Sequence, residues 1–164
     1  MSLPDTPETD TRPLRRALGA FATGVCVVTA EGPDGPGGIT VNSFTSVSLD
    51  PPTILWSLGR RSDRWPLFSQ AERFVVQVLD GDHLEASRRF AWGDWRLAEA
   101  ELTREPGGAP MIEGWVSRFI CRTTRRIDAG DHLLILAEIE RFDTRDGDGL
   151  LFFKGSYSRA TRTE

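Results

Sequence analysis

Apolar side chains recur along this chain with two different periods, and the places where the period changes mark its elements. Between residues 13 and 23, Leu14, Ala17, Leu18 and Phe21 fall at i, i+3, i+4 and i+7, which puts them on one stripe of a helix that Gly24 ends. Residues 25–30 are rich in valine and run into the turn-rich stretch 31–38, so they predict a strand entering a loop. Residues 38–48 alternate: Ile39, Val41, Phe44 and Val47 stand among Thr40, Asn42, Ser43, Thr45, Ser46 and Ser48, the pattern of a half-buried strand with a polar bend. Asp50-Pro51-Pro52 interrupts it, and residues 53–58 resume as a strand.

In the second half, FVVQVL at 74–79 is the nearly unbroken apolar run expected of a central strand covered on both faces. A short helix opened by Ser62 or Asp63 and ending at Gln70 precedes it, and a helix over 83–90 capped by Asp82 follows. Residues 91–114, with Trp92, Trp95 and EPGGAP, hold neither period and read as an irregular excursion. Two long strands, 115–127 and 132–143, meet at the turn 128–131. A second hairpin at 145–149 leads to 150–154, and residues 155–159 close the domain. About seven strands with connections too short for parallel crossovers predict a mainly β chain, an antiparallel barrel with a few short helices as covers. Residues 1–13 read as a flexible arm and 14–164 as one domain.

Composition narrows the function classes. Hydrophobic residues make up 39% of the 164 and charged residues 27%, the balance of a globular domain. No apolar run approaches membrane-spanning length, and the N-terminus has no cationic start before an apolar stretch, so no membrane partner is expected and the chain reads as cytoplasmic. A net charge of −4 argues against nucleic acid, whose binding depends on neutralising many phosphates. Almost all of the 20 basic residues are arginine, however, and Arg60, Arg61 and Arg64 crowd one loop, where guanidinium forks suit phosphate. Cys26 and Cys121 lie inside strand patterns as small buried side chains, and no metal-ligand spacing occurs.

The glycines of 32–38 follow a strand but include Pro33 and Pro36 and lead into another strand, whereas a dinucleotide loop must open a helix. Neither a P-loop nor a nucleophile elbow is present. His132 ends a turn beside Asp131; the same Gly-Asp-His triplet recurs at Gly81-Asp82-His83, where Asp82 opens a helix, so His83 is given no catalytic role.

The pieces ALGAFATGVCVVTA, GITVNSFTSVSLDPPTIL, FVVQVL, a helix ending at Phe90-Ala91, Cys121 followed by GDHLLILAEI, and FFKGSY occur in that order over residues 14–157. Together they resemble the flavin reductase-like family, whose fold is an antiparallel FMN-binding split barrel. The resemblance implies FMN or FAD along Thr40, Val41, Asn42 and Ser43, with Ser46 and Ser48 near the bend. It implies that Ser62 and Arg64 hold the flavin phosphate, with Arg89 approaching from the next helix, that His132 stands on the nicotinamide side, and that Tyr157 borders the pocket. The activity implied is NADH- or NADPH-dependent flavin reduction by a homodimer that supplies a partner oxygenase. The alternative is a non-catalytic flavin-binding or electron-carrier protein of the same fold. By residue pattern alone, the bend reads equally as a solvated edge strand, each arginine as a surface residue, His132 as a turn residue held by Asp131, and Tyr157 as a packed aromatic.

Overall fold

The computed structural model describes residues 10–104 and 108–161. In chain order the elements are α1 (Arg12–Leu18), β1 (Thr23–Gly24), β2 (Cys26–Gly32), β3 (Gly35–Val41), β4 (Thr45–Leu49), β5 (Pro52–Gly59), α2 (Trp65–Phe68), β6 (Arg73–Leu79) and α3 (Leu84–Trp92). A single 3-10 turn (Glu99–Glu101) follows, then β7 (Thr103–Arg104), β8 (Pro110–Met111), β9 (Trp115–Ala129), β10 (His132–Thr144), β11 (Leu150–Phe153) and β12 (Ser156–Arg159). Seven strands form one antiparallel sheet in the order β3-β2-β6-β9-β10-β5-β4, and β1, β11 and β12 form a small second sheet.

The two edge strands of the large sheet, β3 and β4, are consecutive in the chain and joined only by Asn42, Ser43 and Phe44. Seven strands laid flat would hold their edges about 29 Å apart, yet the chain from Val41 to Thr45 spans at most about 14 Å. The sheet is therefore curled until its edges nearly meet, leaving a barrel with a split that the bend crosses.

Alternation along the strands fills the barrel. Cys26, Val28 and Ala30 of β2, Ile39 and Val41 of β3, Ile54, Trp56 and Leu58 of β5, Phe74 and Val76 of β6, and Leu133, Ile135 and Ala137 of β10 form one cluster. Trp56 lies at its centre, fully buried, with its ring edge-on to Phe68 and Phe74. The opposite faces of β2 and β6 are covered as well, by α3, Leu97, Ile112 and Leu150 on one side and by Ala109 and Met111 on the other. Covering on both faces is why these strands read as continuous apolar runs. The fully buried Gln77 of β6 accepts a bond from Ile112 N (2.6 Å) and donates to Thr29 Oγ1 (3.1 Å), and Thr29 Oγ1 donates to Pro110 O (2.5 Å). Together they fasten the return of the 93–112 excursion to the barrel.

Several local expectations are corrected. The first helix stops at Leu18 and buries nothing: Leu14, Leu18 and Phe21 are 60%, 65% and 80% exposed. It begins at Arg12, within the expected arm, of which residues 1–9 lie outside the described residues. The stretch 31–38 is mostly strand, because the turn narrows to Gly32–Gly35 and Pro36 is tolerated on an edge. Arg64 and His83, not Ser62, Asp63 or Asp82, occupy the helix N-cap positions, and α2 ends at Phe68 after one turn. The Asp82 carboxylate pairs with Arg159 instead. The chain after β10 does not return as a hairpin: β11 pairs with β1 and β12, because Leu150 belongs to the cluster under α3. The excursion 91–114 does lack long elements, and the part of it at 105–107 lies outside the described residues.

Candidate functional site at the barrel split

Only the first half of β5 pairs with β4; from Trp56 to Gly59 it pairs with β10 alone, and the bend lies against its other edge. Ser43 makes that contact, its Oγ accepting the N–H of Ser57 at 2.9 Å. The Phe44 ring stacks on Phe119 with centroids 5.6 Å apart, which pins the bend from the barrel side. Asn42, Thr45, Ser46 and Val47 are exposed, so the bend presents an open face.

Thr40 and Val41 point to opposite sides of β3. The Val41 side chain is buried in the barrel, so only its backbone faces the split. Thr40 Oγ1 donates to the carbonyl of Ser87 on α3 at 2.6 Å. Ser87 Oγ in turn lies 2.9 Å from the hydroxyl of Tyr157, whose ring packs edge-on to Phe152. Tyr157 on the small sheet is thus linked to β3 through one fully buried serine. Ser48 Oγ accepts from Asp50 N at 3.2 Å and shapes the turn before the prolines, while Ser46 stays exposed on β4.

The arginine loop continues β5 and runs beside the β9–β10 turn. His132 pairs with Gly59 across β5 and β10, two residues or about 7 Å along β5 from Ser57. His132 Nδ1 lies 2.7 Å from an Asp131 carboxylate oxygen, and this bond, with the imidazole charge behind it, holds the Asp131 carboxyl below its ordinary range. Ser62 Oγ accepts the Arg64 N–H at 3.2 Å. The one-turn helix α2 is no phosphate cradle, because the Trp65 N–H is taken by the Ser62 carbonyl and Pro66 has none.

Arg64 supplies what that helix lacks. It is 8% exposed, one guanidinium nitrogen binds the Asp63 carboxylate, and the cation lies 6.0 Å from the centre of the Trp95 ring. Its other two nitrogens, Nε and Nη2, are buried without a partner among the described residues. Unmatched buried donors are expensive, and an anion of the size of a phosphate oxygen matches them. Arg89, expected to approach the phosphate, has its donors engaged within the chain. Its Nε and Nη2 donate to the carbonyls of Asp94 and Arg96 at 2.9 and 2.8 Å, and both terminal nitrogens bind Glu101. It ties down the strap that carries Trp95. Arg88 pairs with Glu85 on the exposed side of α3.

A cavity of about 960 Å³ opens between the β2–β3 turn, α2 and the strap. It touches the arginine loop at Asp63 and is not lined by residues 40–48. Among the described residues no group of three His, Cys, Asp or Glu side chains is placed to hold a metal ion. Cys26 and Cys121 are free and buried, their thiols pushed up to about 12 by burial. Sequence reasoning missed Ser57, Ser87 and the contacts of Arg60 with the β9–β10 turn; only Ser57 had a local signal, as the polar member of TILWSL.

The fold is an antiparallel barrel closed across a split, with a hydroxyl-bearing bend at the split, a buried arginine on the following loop and a histidine at one strand end. The model of the flavin reductase like domain matches residues 18–161, and the chain belongs to this family. FMN reductase (NADH) SmoA of Agrobacterium fabrum is 46% identical over 153 residues, covering 93% of this chain and 88% of that protein. The reductase component of a flavin-dependent trigonelline monooxygenase of Acinetobacter baylyi is 38% identical over 148 residues, 89% of this chain; the chain spans about half of that relative, 48%. Among solved structures, an NADH:FAD oxidoreductase of Streptomyces globisporus in complex with NAD and FAD fragments superposes with a TM-score of 0.85 at 35% identity, covering 93% of each chain. Among the described residues no helix is long and apolar enough to cross a membrane.

Proposed function

We propose that this chain is an NADH-dependent flavin reductase, taking FMN or FAD at the barrel split and passing reduced flavin to a separate oxygenase. The observation that carries the reading is the Arg64 guanidinium, with two buried donors unmatched, on the same loop that follows the Ser43–Ser57 contact. The family membership and the relatives named for NADH, FMN and FAD support it.

A bound flavin supplies the electron sink that accepts hydride from C4 of the dihydronicotinamide. The chain holds the two rings in contact and needs no strong base or nucleophile. Backbone groups of Thr40, Val41, Asn42 and Ser43 line the ring and sugar-alcohol side, with Ser46 and Ser48 around the bend. Arg64 and Ser62 hold the phosphate, and Tyr157 borders the pocket through Ser87. His132, oriented by Asp131, meets the nicotinamide carboxamide.

The protein acts as a cytoplasmic homodimer in this reading. The exposed Leu14, Leu18 and Phe21 stripe and the exposed Val47 and Leu49 of the open edge β4 are the surfaces a second copy would cover. The two unbridged cysteines suit a reducing compartment.

The test is NADH oxidation by purified protein with and without added FMN or FAD. Oxidation that depends on flavin is expected; no oxidation with either flavin overturns the proposal. Flavin binding without oxidation would replace the enzyme by a flavin carrier.

A further inference from the structure

We propose that Arg60 is a positioning residue for His132 rather than a phosphate ligand, an inference that rests on the flavin reductase reading. Its sequence position beside Arg61 and Arg64 suggests a third guanidinium for an anion. Its contacts point elsewhere. The Arg60 N–H donates to the carbonyl of Asp131 at 2.9 Å, Nε donates to the carbonyl of Gly130 at 3.3 Å, and Nη2 binds the Asp128 carboxylate. The guanidinium also lies 5.3 Å from the centre of the Trp65 ring at the start of α2.

One residue therefore grips both positions of the turn Gly130-Asp131, immediately before His132, its backbone holding Asp131 and its side chain holding Gly130 and Asp128 at the end of β9, while it belongs to the loop that carries Ser62 and Arg64. Gly130 turns there with φ +60, so the turn has no side chain of its own at that position to brace it. The planar fork makes this possible: two divergent N–H bonds leave one face of the plane for the tryptophan, a combination an ammonium lacks. The Asp128 pair is exposed and by itself worth little; the device is the set of contacts together, which fixes the spacing between the phosphate-binding loop and the imidazole.

The experiment compares wild type, Arg60→Ala, Arg60→Lys and Asp128→Asn. It measures steady-state NADH oxidation at saturating FMN, and the dissociation constants of FMN and riboflavin by flavin fluorescence. Arg60→Ala is expected to lower kcat/KM for NADH about three- to tenfold while the ratio of FMN to riboflavin affinity stays within about twofold. Arg60→Lys should restore part of the loss, and Asp128→Asn should lower kcat/KM in the same direction by less and add little to Arg60→Ala. Weaker FMN binding with riboflavin unmoved in Arg60→Ala would make Arg60 a phosphate ligand and overturn the proposal. Unchanged kcat/KM for NADH in both Arg60→Ala and Asp128→Asn would also overturn it. Should Arg60→Ala fail to fold, Asp128→Asn alone decides. Wild-type protein inert with FMN and FAD removes the reductase reading itself, and the proposal with it, an outcome distinct from a variant effect.

Discussion

Replacing Arg64 by methionine should make the flavin-free protein more stable and the flavin complex weaker. The substitution keeps the buried stem of the side chain and removes the guanidinium, of which two nitrogens are buried without a partner. Each unmatched donor carries a penalty of about 1–3 kcal/mol. Against this stand the Asp63 pair, discounted to at most about 1 kcal/mol because the Asp63 side chain is 66% exposed, and the contact with Trp95, about 0.5–1 kcal/mol. Two donors give about 2–6 kcal/mol against at most about 2 kcal/mol, so the balance favours methionine by up to about 5 kcal/mol, centred on roughly 2–3 kcal/mol, or a rise in Tm of about 6–9 °C for a chain of this size. In the complex the sign reverses, since charge-assisted bonds to phosphate contribute about 1.5–3 kcal/mol each. FMN affinity should fall about 10- to 100-fold, whereas riboflavin, which lacks the phosphate, should bind almost as before. Differential scanning fluorimetry of the flavin-free protein and fluorescence titrations with both flavins read the two halves. A lower Tm together with an unchanged FMN-to-riboflavin ratio would refute the reasoning and return Arg64 to an ordinary structural role.

His132→Ala should lower kcat for NADH oxidation about tenfold or more while FMN affinity barely changes, which steady-state kinetics and titration separate. Gln77→Leu leaves the buried Ile112 N–H without its acceptor and removes the bond donated to Thr29 Oγ1, whose own bond to Pro110 O remains, so urea unfolding should show a loss of about 1–3 kcal/mol. Glu101 is held below its ordinary carboxyl range by the hydrogen bond from Arg89, then by the Ala98 N–H. Its contribution is fully present above the unfolded value of about 4.3 and is lost as pH falls through the depressed folded value. Tryptophan emission compared between wild type and Trp95→Phe should therefore report loosening of the strap only below the ordinary carboxylate range; a transition near neutral pH would contradict the assignment. Cys26 and Cys121, with thiols near 12, should resist a disulfide reagent at pH 8 until the protein is unfolded.

Much of this protein was already settled by local sequence. The alternation through residues 38–58 places Ile39, Val41, Ile54, Trp56 and Leu58 on the barrel side, and the apolar run at 74–79 marks the strand covered on both faces. Period and burial are the same information for such strands, because each side chain's face follows from its parity. The order of motifs also carried the family, and with it the bend and the arginine loop as the place to look.

What the tertiary structure alone decided are the partners of polar and charged groups. Arg60, Arg64 and Arg89 look alike in sequence, yet one braces a turn 68–70 residues away, one is buried and unmatched, and one ties down a strap. Thr40, Ser87 and Tyr157 meet across separations of 47 and 70 residues, and β11 leaves β10 for β1 because Leu150 completes a distant cluster. The stripe on α1 has helical spacing but no surface among the described residues to cover it. Periodicity tells a residue which side of its own element it occupies; which group waits on that side depends on how the sheet curls, and that is set by the closure of the whole barrel.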